Sequence, residues 1–420
     1  MIYLDYQATT PVAPEVVAAM RPWNEEKFAN PHSPSMWGSE AAAAIAIARG
    51  QVEKALLPDP FVASPNPFVS SEVETSFSAQ ERPSTKFIQS NAAGGVEGLG
   101  TNGVREINGV KGTFAFTSGA TEALNWALKG TLERPSRRKL VTIVTEHAAV
   151  LDTADWLEGQ GVEVVRLPVG RDGLVDLDQA ADAIDDDTAL VAAMLVNNEI
   201  GVIQPVAELA RLAHAVGALM LCDAVQGFGR MAIPEGPDLI AISGHKIHGP
   251  KAIGGLWMRD GAEPAPLLHG GGQEQGLRSG TLSTALCVGL GEAARLAVER
   301  READAVHVEK LWQVALATLG EGWIINGSTE QRYRGNINLR RDTLDGARLI
   351  SDLRNIAFSL GSACASGSGR PSHVLRAIGL SDRDARSTVR LGFGRYTGEE
   401  ELASACRRIA DAARDQRKVP

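Results

Sequence analysis

"GALMLCDAVQGFGRMAIPEGPDLIAISGHK", residues 217–246, holds two apolar runs, and each ends in a polar group. The run 218–222 closes on Asp223, and 239–242 closes on Ser243, His245 and Lys246. Neither run alternates apolar with polar residues. A strand that is apolar on both sides is buried on both faces, as in a parallel sheet covered by helices. Working outward, FAFTSG (114–119), KLVTIVT (139–145) and ALVAAMLVN (189–197) read the same way. Helical patterns stand between them: TEALNWALKG (121–130), DTADWLEGQG (152–161) and PVAELARLAHAVG (205–217), the last opening on Pro and closing on Gly. The succession predicts an α/β fold with a mostly parallel central sheet.

Past a long helical stretch at about 282–319 the pattern shortens. GNINLR (335–340) and STVRLGF (387–393) read as strands, and GARLISDLRN (346–355) and EEELASACRRIADAARDQ (399–416) as helices. The change predicts a smaller α+β domain. The expected division is a large domain over 14–297 and a small one from 1–13 plus 298–420. Residues 61–111, rich in Ser, Pro, Asn and Gly with no sustained period, read as a partly mobile surface insertion in the large domain. Phe61, Phe68, Phe77 and Phe87 could dock it on the body or on a partner.

The 420 residues carry a net charge of −9, which argues against a nucleic-acid surface as the main business. No apolar run reaches the ~18–20 residues of a membrane span. The start, MIYLDYQATT, lacks a signal-peptide pattern. The cysteines at 222, 287, 364 and 406 form no C-x-x-C pair, so neither a zinc site nor a disulfide framework is expected, and a reducing cytoplasm is the simplest setting. Cys222 lies in an apolar strand, Cys287 on an apolar helix, and Cys406 on one face with Leu402 and Ile409; all three read as core. Cys364 differs. It sits in SLGSACASGSGRPSHVLRAIGL (359–380), among Ser, Gly and Ala, where Gly361, Gly367 and Gly369 give the chain freedom to move a thiol.

Ligands of open α/β sheets bind at the carboxyl ends of the strands. Residues 118–121, Ser-Gly-Ala-Thr, open a helix where backbone N–H groups suit a phosphate. The next strands end in Glu146 and His147; in Asn197, Asn198 and Glu199; in Asp223 and Gln226; and in Gly244, His245 and Lys246. Each alone reads as a cap or loop residue. Five together on one sheet edge read as a site. A lysine forms a Schiff base with an aldehyde, and an aspartate keeps a pyridinium nitrogen protonated; the pairing points to pyridoxal phosphate. His147 suits stacking on the ring or relaying protons, Gln226 the ring hydroxyl, and Thr121, Ser243 and His245 the phosphate.

The chain also resembles a known family. YLDYQATTPV, TSGATEALNWALKG, TEHAAVLDT, VNNEIGVIQP, DAVQGFG, SGHKIHGPKAIGGLW, HGGGQEQGLRSGTL and GSACASGSGRPSHVLRAIGL are similar, in order and spacing, to the NifS/IscS-type cysteine desulfurases. These are fold-type I pyridoxal-phosphate enzymes of the class V aminotransferase superfamily. The likeness covers the chain except 61–111. It implies a homodimer that takes sulfur from L-cysteine, releases L-alanine, and holds the sulfur as a persulfide on Cys364. That sulfur would pass to an acceptor for iron-sulfur cluster assembly or for tRNA or cofactor thiolation. The resemblance implies that Lys246 carries the cofactor and acts as base, that His147 stacks on the ring, and that Asp223 and Gln226 meet the ring nitrogen and oxygen. Ala120, Thr121, Ser243 and His245 would hold the phosphate, with Thr281 reaching the phosphate of the other subunit. Asn198, at the cofactor, would share the substrate carboxylate with Arg390. No resident metal is implied, although Cys364 could transiently ligate an iron-sulfur species with a partner.

Two departures from the family stand out. The insertion replaces a short connection, and the chain ends soon after residue 416, without the longer tail by which relatives dock a scaffold protein. The spacing from Cys364 to Pro371 fits the family's long-loop group. Two alternatives differ in what they require. A selenocysteine lyase, or another lyase or aminotransferase of the superfamily, would not need Cys364. A non-catalytic pyridoxal-phosphate-binding partner protein would not need Lys246, Asp223 and His147 together.

Overall fold

The computed structural model describes residues 1–56, 105–107, 110–133, 137–361 and 371–416. A sheet of eight strands lies at its centre. In spatial order they are Arg105–Ile107, Val110–Thr117, Gly254–Arg259, Leu239–Ser243, Leu219–Asp223, Thr188–Met194, Lys139–Ile143 and Glu163–Leu167. Six run in one sense, while Arg105–Ile107 and Gly254–Arg259 run against them. The mostly parallel α/β sheet read from the sequence is present.

Its apolar runs are continuous because both faces are covered. In Leu219–Asp223, Met220 and Cys222 pack into one core and Leu221 into the other. In Leu239–Ser243, Ile240 and Ile242 share the first core, and Leu239 and Ala241 the second. Helices Met36–Leu56, Val206–Ala215 and Thr284–Leu319 cover the first face through residues such as Val52, Leu209 and Leu290. Ala120–Leu132 and Ala148–Glu158 cover the second through Leu124, Leu128 and Val150. Each such side chain, fully buried, contributes about 1.5–3 kcal/mol.

A smaller antiparallel sheet joins Ile324–Ile325, Asn336–Arg340 and Thr388–Gly392. Its core combines Ile337, Leu339, Val389 and Leu391 with Leu402, Cys406 and Ile409 of helix Glu399–Asp415. The border expected between 297 and 298 falls inside one continuous helix, Thr284–Leu319. That helix packs on the large sheet as far as Val308 and on the small-sheet core from Leu311 onward.

The N-terminal segment crosses between the two sheets. Ile2–Tyr3 pairs with Ile356–Ala357, and Asp5 bridges to Gly392. Of the stretch expected as an insertion, residues 61–104 and 108–109 lie outside the described residues. Its end is corrected here: Arg105–Ile107 pairs antiparallel with Val110–Thr117 and forms the sheet edge. The sequence between them is Asn-Gly, the pair that favours a two-residue hairpin. The strand KAIGGLW escapes the apolar-run criterion because Gly254 and Gly255 interrupt it. Both are needed, since a Cβ at Gly255 would overlap the Phe114 ring and one at Gly254 would lie 2.9 Å from Gly119 Cα.

Cys222, Cys287 and Cys406 are buried, as expected of core cysteines. Burial pushes the thiols of Cys287 and Cys406 up to about 12 and that of Cys222 well up, so all three stay protonated and inert. Cys364 lies in 362–370, outside the described residues. Among the described residues no helix is long and apolar enough to cross a membrane.

Candidate active site

The carboxyl ends of the parallel strands meet in a cavity of about 580 Å³. Ala120, Thr121, His147, Asn198, Asp223, Gln226, Ser243, His245 and Lys246 line it from the large sheet, and Arg390 from the small one. Thr281 does not line it; it is exposed on the loop before helix Thr284–Leu319. The site so far rests on ten of the residues singled out in the sequence.

Lys246 follows strand Leu239–Ser243 in a single 3₁₀ turn, Gly244–Lys246. Its Nζ donates to Gln7 O at 2.5 Å and Ala8 O at 2.8 Å. The amine is pulled down to about 8, first by burial and then by the Arg230 and Arg390 charges, against the pull of Asp5 and Asp223. An amine so placed is partly unprotonated near neutral pH, as a nucleophile or base must be. Asp223 ends its strand in a buried position, and its Oδ1 accepts the Val225 N–H at 3.0 Å. Burial pushes its carboxyl up, while that hydrogen bond, His147 and Lys246 hold it down. A cationic N–H beside it would favour the carboxylate further.

His147 caps helix Ala148–Glu158: its Nδ1 accepts the Ala149 N–H at 3.1 Å. The neutral ring therefore carries its proton on Nε2. His245 is held neutral, pulled down to about 4 by burial and by Lys246, Lys251 and Arg230. Its Nδ1 is 3.2 Å from Thr9 Oγ1. Helix Ala120–Leu132 starts at Gly119, which has φ +154° and offers no side-chain cap. The start of the helix lines the cavity, and its cap residue supplies no side-chain acceptor to the first N–H groups. Glu122 fastens this turn, accepting Ser118 N–H at 2.7 Å and the Arg278 guanidinium at 2.7 and 3.1 Å.

Arg390 is buried, and two of its nitrogens are committed: Nη2 to Asp5 Oδ1 at 2.7 Å and Nη1 to Asn198 O at 2.9 Å. Its Nε is buried and has no hydrogen-bond partner among the described residues. Of its five N–H groups two are thus spent on the protein, and its charge is shared with Asp5. The N-terminal residues 7–9 also line the cavity, and Arg230 holds Gln226 and Lys246 from behind it. Neither is marked by a strand end; only the likeness of DYQATT to the family pointed to the first.

Pyridoxal phosphate fits these residues. The uncapped helix start suits its phosphate, the depressed lysine its aldehyde, and the buried Asp223 its ring nitrogen. The cavity volume lies in the range of small-molecule sites, and Arg390, which lines the cavity, brings a cationic donor group suited to an amino-acid carboxylate.

Comparisons with known proteins point the same way. The profile of the family described as Aminotransferase class-V matches residues 99–404. A curated relative, cysteine desulfurase IscS of Rickettsia bellii (strain OSU 85-389), is 39% identical over 419 residues, covering 97% of this chain and 90% of that protein. Among solved structures, a NifS-like protein superposes with a TM-score of 0.79 at 30% identity, covering 98% of both chains. SspA in complex with cysteine gives 0.73 at 32% identity, covering 95% of this chain and all of the other.

Proposed function

The chain belongs to the class-V aminotransferases and, within them, to the NifS/IscS-like cysteine desulfurases, and on that premise we propose how its residues carry the reaction. The enzyme removes sulfur from L-cysteine, releases L-alanine and holds the sulfur as a Cys364 persulfide for an acceptor. Pyridoxal 5′-phosphate, when bound, supplies an electron sink for charge at the substrate Cα.

The assignments of the cofactor residues follow the cavity. Lys246 would hold the cofactor through Nζ, Asp223 would meet the ring nitrogen, His147 the ring face and Gln226 the ring oxygen. Ala120, Thr121, Ser243 and His245 would take the phosphate, and Thr281, exposed away from its own cavity, would serve that of a second copy. Asn198 and Arg390 would orient the substrate carboxylate. Lys246, close to neutral pH in proton affinity, takes the Cα proton and returns one. His147, with its proton on Nε2, exchanges it with a thiol. The Cys364 thiolate forms a bond to the substrate sulfur. The Cβ–S pair stays with carbon, which takes up a proton and becomes the methyl of alanine.

The single observation that supports the reading most is Lys246 and Asp223 lining one cavity at adjacent strand ends. One variant and the wild type, both purified, test it. Lys246→Ala is expected to lose the visible absorption of bound pyridoxal phosphate and all alanine formation from L-cysteine. In the wild type, capture of added pyridoxal phosphate is expected to quicken as pH rises to a midpoint of about 8, where the Lys246 amine loses its proton. Alanine formation at wild-type rate by Lys246→Ala would refute the proposal.

A further inference from the structure

Arg230 lies under the cavity, on the far side of Gln226 and Lys246. Its Nη1 donates to Gln226 O at 3.1 Å and to Gln226 Oε1 at 2.5 Å, and its Nη2 to Lys246 O at 2.9 Å. Its Cζ is 5.1 Å from the centroid of the Tyr333 ring. No carboxylate neutralises it among the described residues. Asp304 lines the same small space behind it but is taken by Arg395 at 2.7 Å.

We propose that Arg230 is a positioning residue that turns the Gln226 amide so that its NH₂ faces the cavity side, and whose unneutralised charge keeps a proton off the Lys246 nitrogen. The proposal rests on the cofactor reading above. An amide has one acceptor end and one donor end. With Oε1 held by Arg230, only Nε2 can serve the other side, and it donates to Gln7 O at 3.0 Å. A ligand oxygen that accepts a hydrogen bond is what such a group suits. Charged groups face Lys246 from every side: Arg230 and Arg390 disfavour its proton, and Asp5 and Asp223 favour it. Asp5 is itself paired with Arg390. Arg230 therefore remains, among the described residues, the cation without a counter-charge, and through its bond to the Lys246 carbonyl it also fixes the turn that carries Lys246.

Holoprotein of the wild type, Arg230→Met, Arg230→Lys and Gln226→Leu is titrated across neutral and alkaline pH on the visible band of bound pyridoxal phosphate. The midpoint reports the proton on the Lys246 nitrogen. Arg230→Met is expected to raise it by about one unit, a tenfold gain in proton affinity. Arg230→Lys keeps the charge and should leave the midpoint near that of the wild type, yet it loses the planar fork and should bind the cofactor several-fold more weakly. Gln226→Leu should show the weaker binding with an unshifted midpoint. If Arg230→Met does not fold, Arg230→Gln, which retains a donor, should give the same shift. A wild type with the band and an unshifted neutral variant overturns the proposal alone. A wild type without the band overturns the cofactor reading and the proposal with it.

Discussion

Glu146, the residue before His147, shows how burial sets chemistry at a single position. Its Oε1 accepts the Met194 N–H at 2.8 Å, and its backbone carbonyl accepts His373 Nε2 at 3.0 Å. Its other carboxyl oxygen has no partner among the described residues, and burial pushes its proton affinity well up, helped by the nearby Asp223. The folded protein holds it neutral. In the unfolded chain it ionises near 4.5. Stability from this group is thus complete below that pH and is lost progressively as pH rises toward the raised folded value. Glu146→Gln has no proton to lose. Its melting temperature, compared with that of the wild type, is expected to gain steadily between about pH 4 and 7; a constant difference would mean that Glu146 is ionised in the fold. Glu146→Ala leaves the Met194 N–H unpaired and should cost about 1–3 kcal/mol.

Among elements, the turn at 118–121 and strand Gly254–Arg259 depend on each other. Gly254 lies against the Gly119 backbone, and a methyl group there would also meet Ile242 O. Gly254→Ala must therefore displace the start of helix Ala120–Leu132. It is expected to weaken binding of pyridoxal phosphate, and of inorganic phosphate as a competitor, by tenfold or more, while secondary structure survives. Unchanged affinity, measured by absorbance titration, would separate the helix start from the phosphate. This coupling was hidden in the sequence. SGAT suggested a phosphate turn, but nothing in the order of residues said that GG of KAIGGLW would close against it. The apolar runs of the parallel strands, by contrast, were legible because both of their faces are buried. Strand Glu163–Leu167 was not, because it is the sheet edge and carries Glu163 and Arg166 toward solvent or ion pairs.

At the scale of the whole molecule, side chains on and beside the three-stranded sheet hold the loop that carries Asn198. Asn336 Nδ2 and Arg390 Nη1 donate to Asn198 O at 3.2 and 2.9 Å. Asn338 Nδ2 donates to Glu199 O at 3.0 Å, and Arg332 Nη2 to Ile200 O at 2.7 Å. Each hydrogen bond contributes about 1 kcal/mol, and together they fix one sheet against the other. This is why Arg390, nearly two hundred positions from Asn198, reaches the same cavity. Strand-end chemistry could be read locally for Asp223, Gln226, His245 and Lys246. Arg390 was found only through the family resemblance, because long-range registry leaves no local pattern. Glu199 also accepts a hydrogen bond from Ser372, so the same loop is tied to the chain that follows Cys364.

In the proposed mechanism Cys364, and no buried cysteine, receives the sulfur. Its most direct test is Cys364→Ala, assayed for sulfide release from L-cysteine in the presence of a thiol reductant, with mass spectrometry of the wild-type protein for an added sulfur on the peptide 359–380. Cys364→Ala is expected to keep its bound pyridoxal phosphate but to lose sulfide release by at least a hundredfold, and the wild-type peptide to gain one sulfur at Cys364. Sulfide release at the wild-type rate by Cys364→Ala would contradict the proposed mechanism.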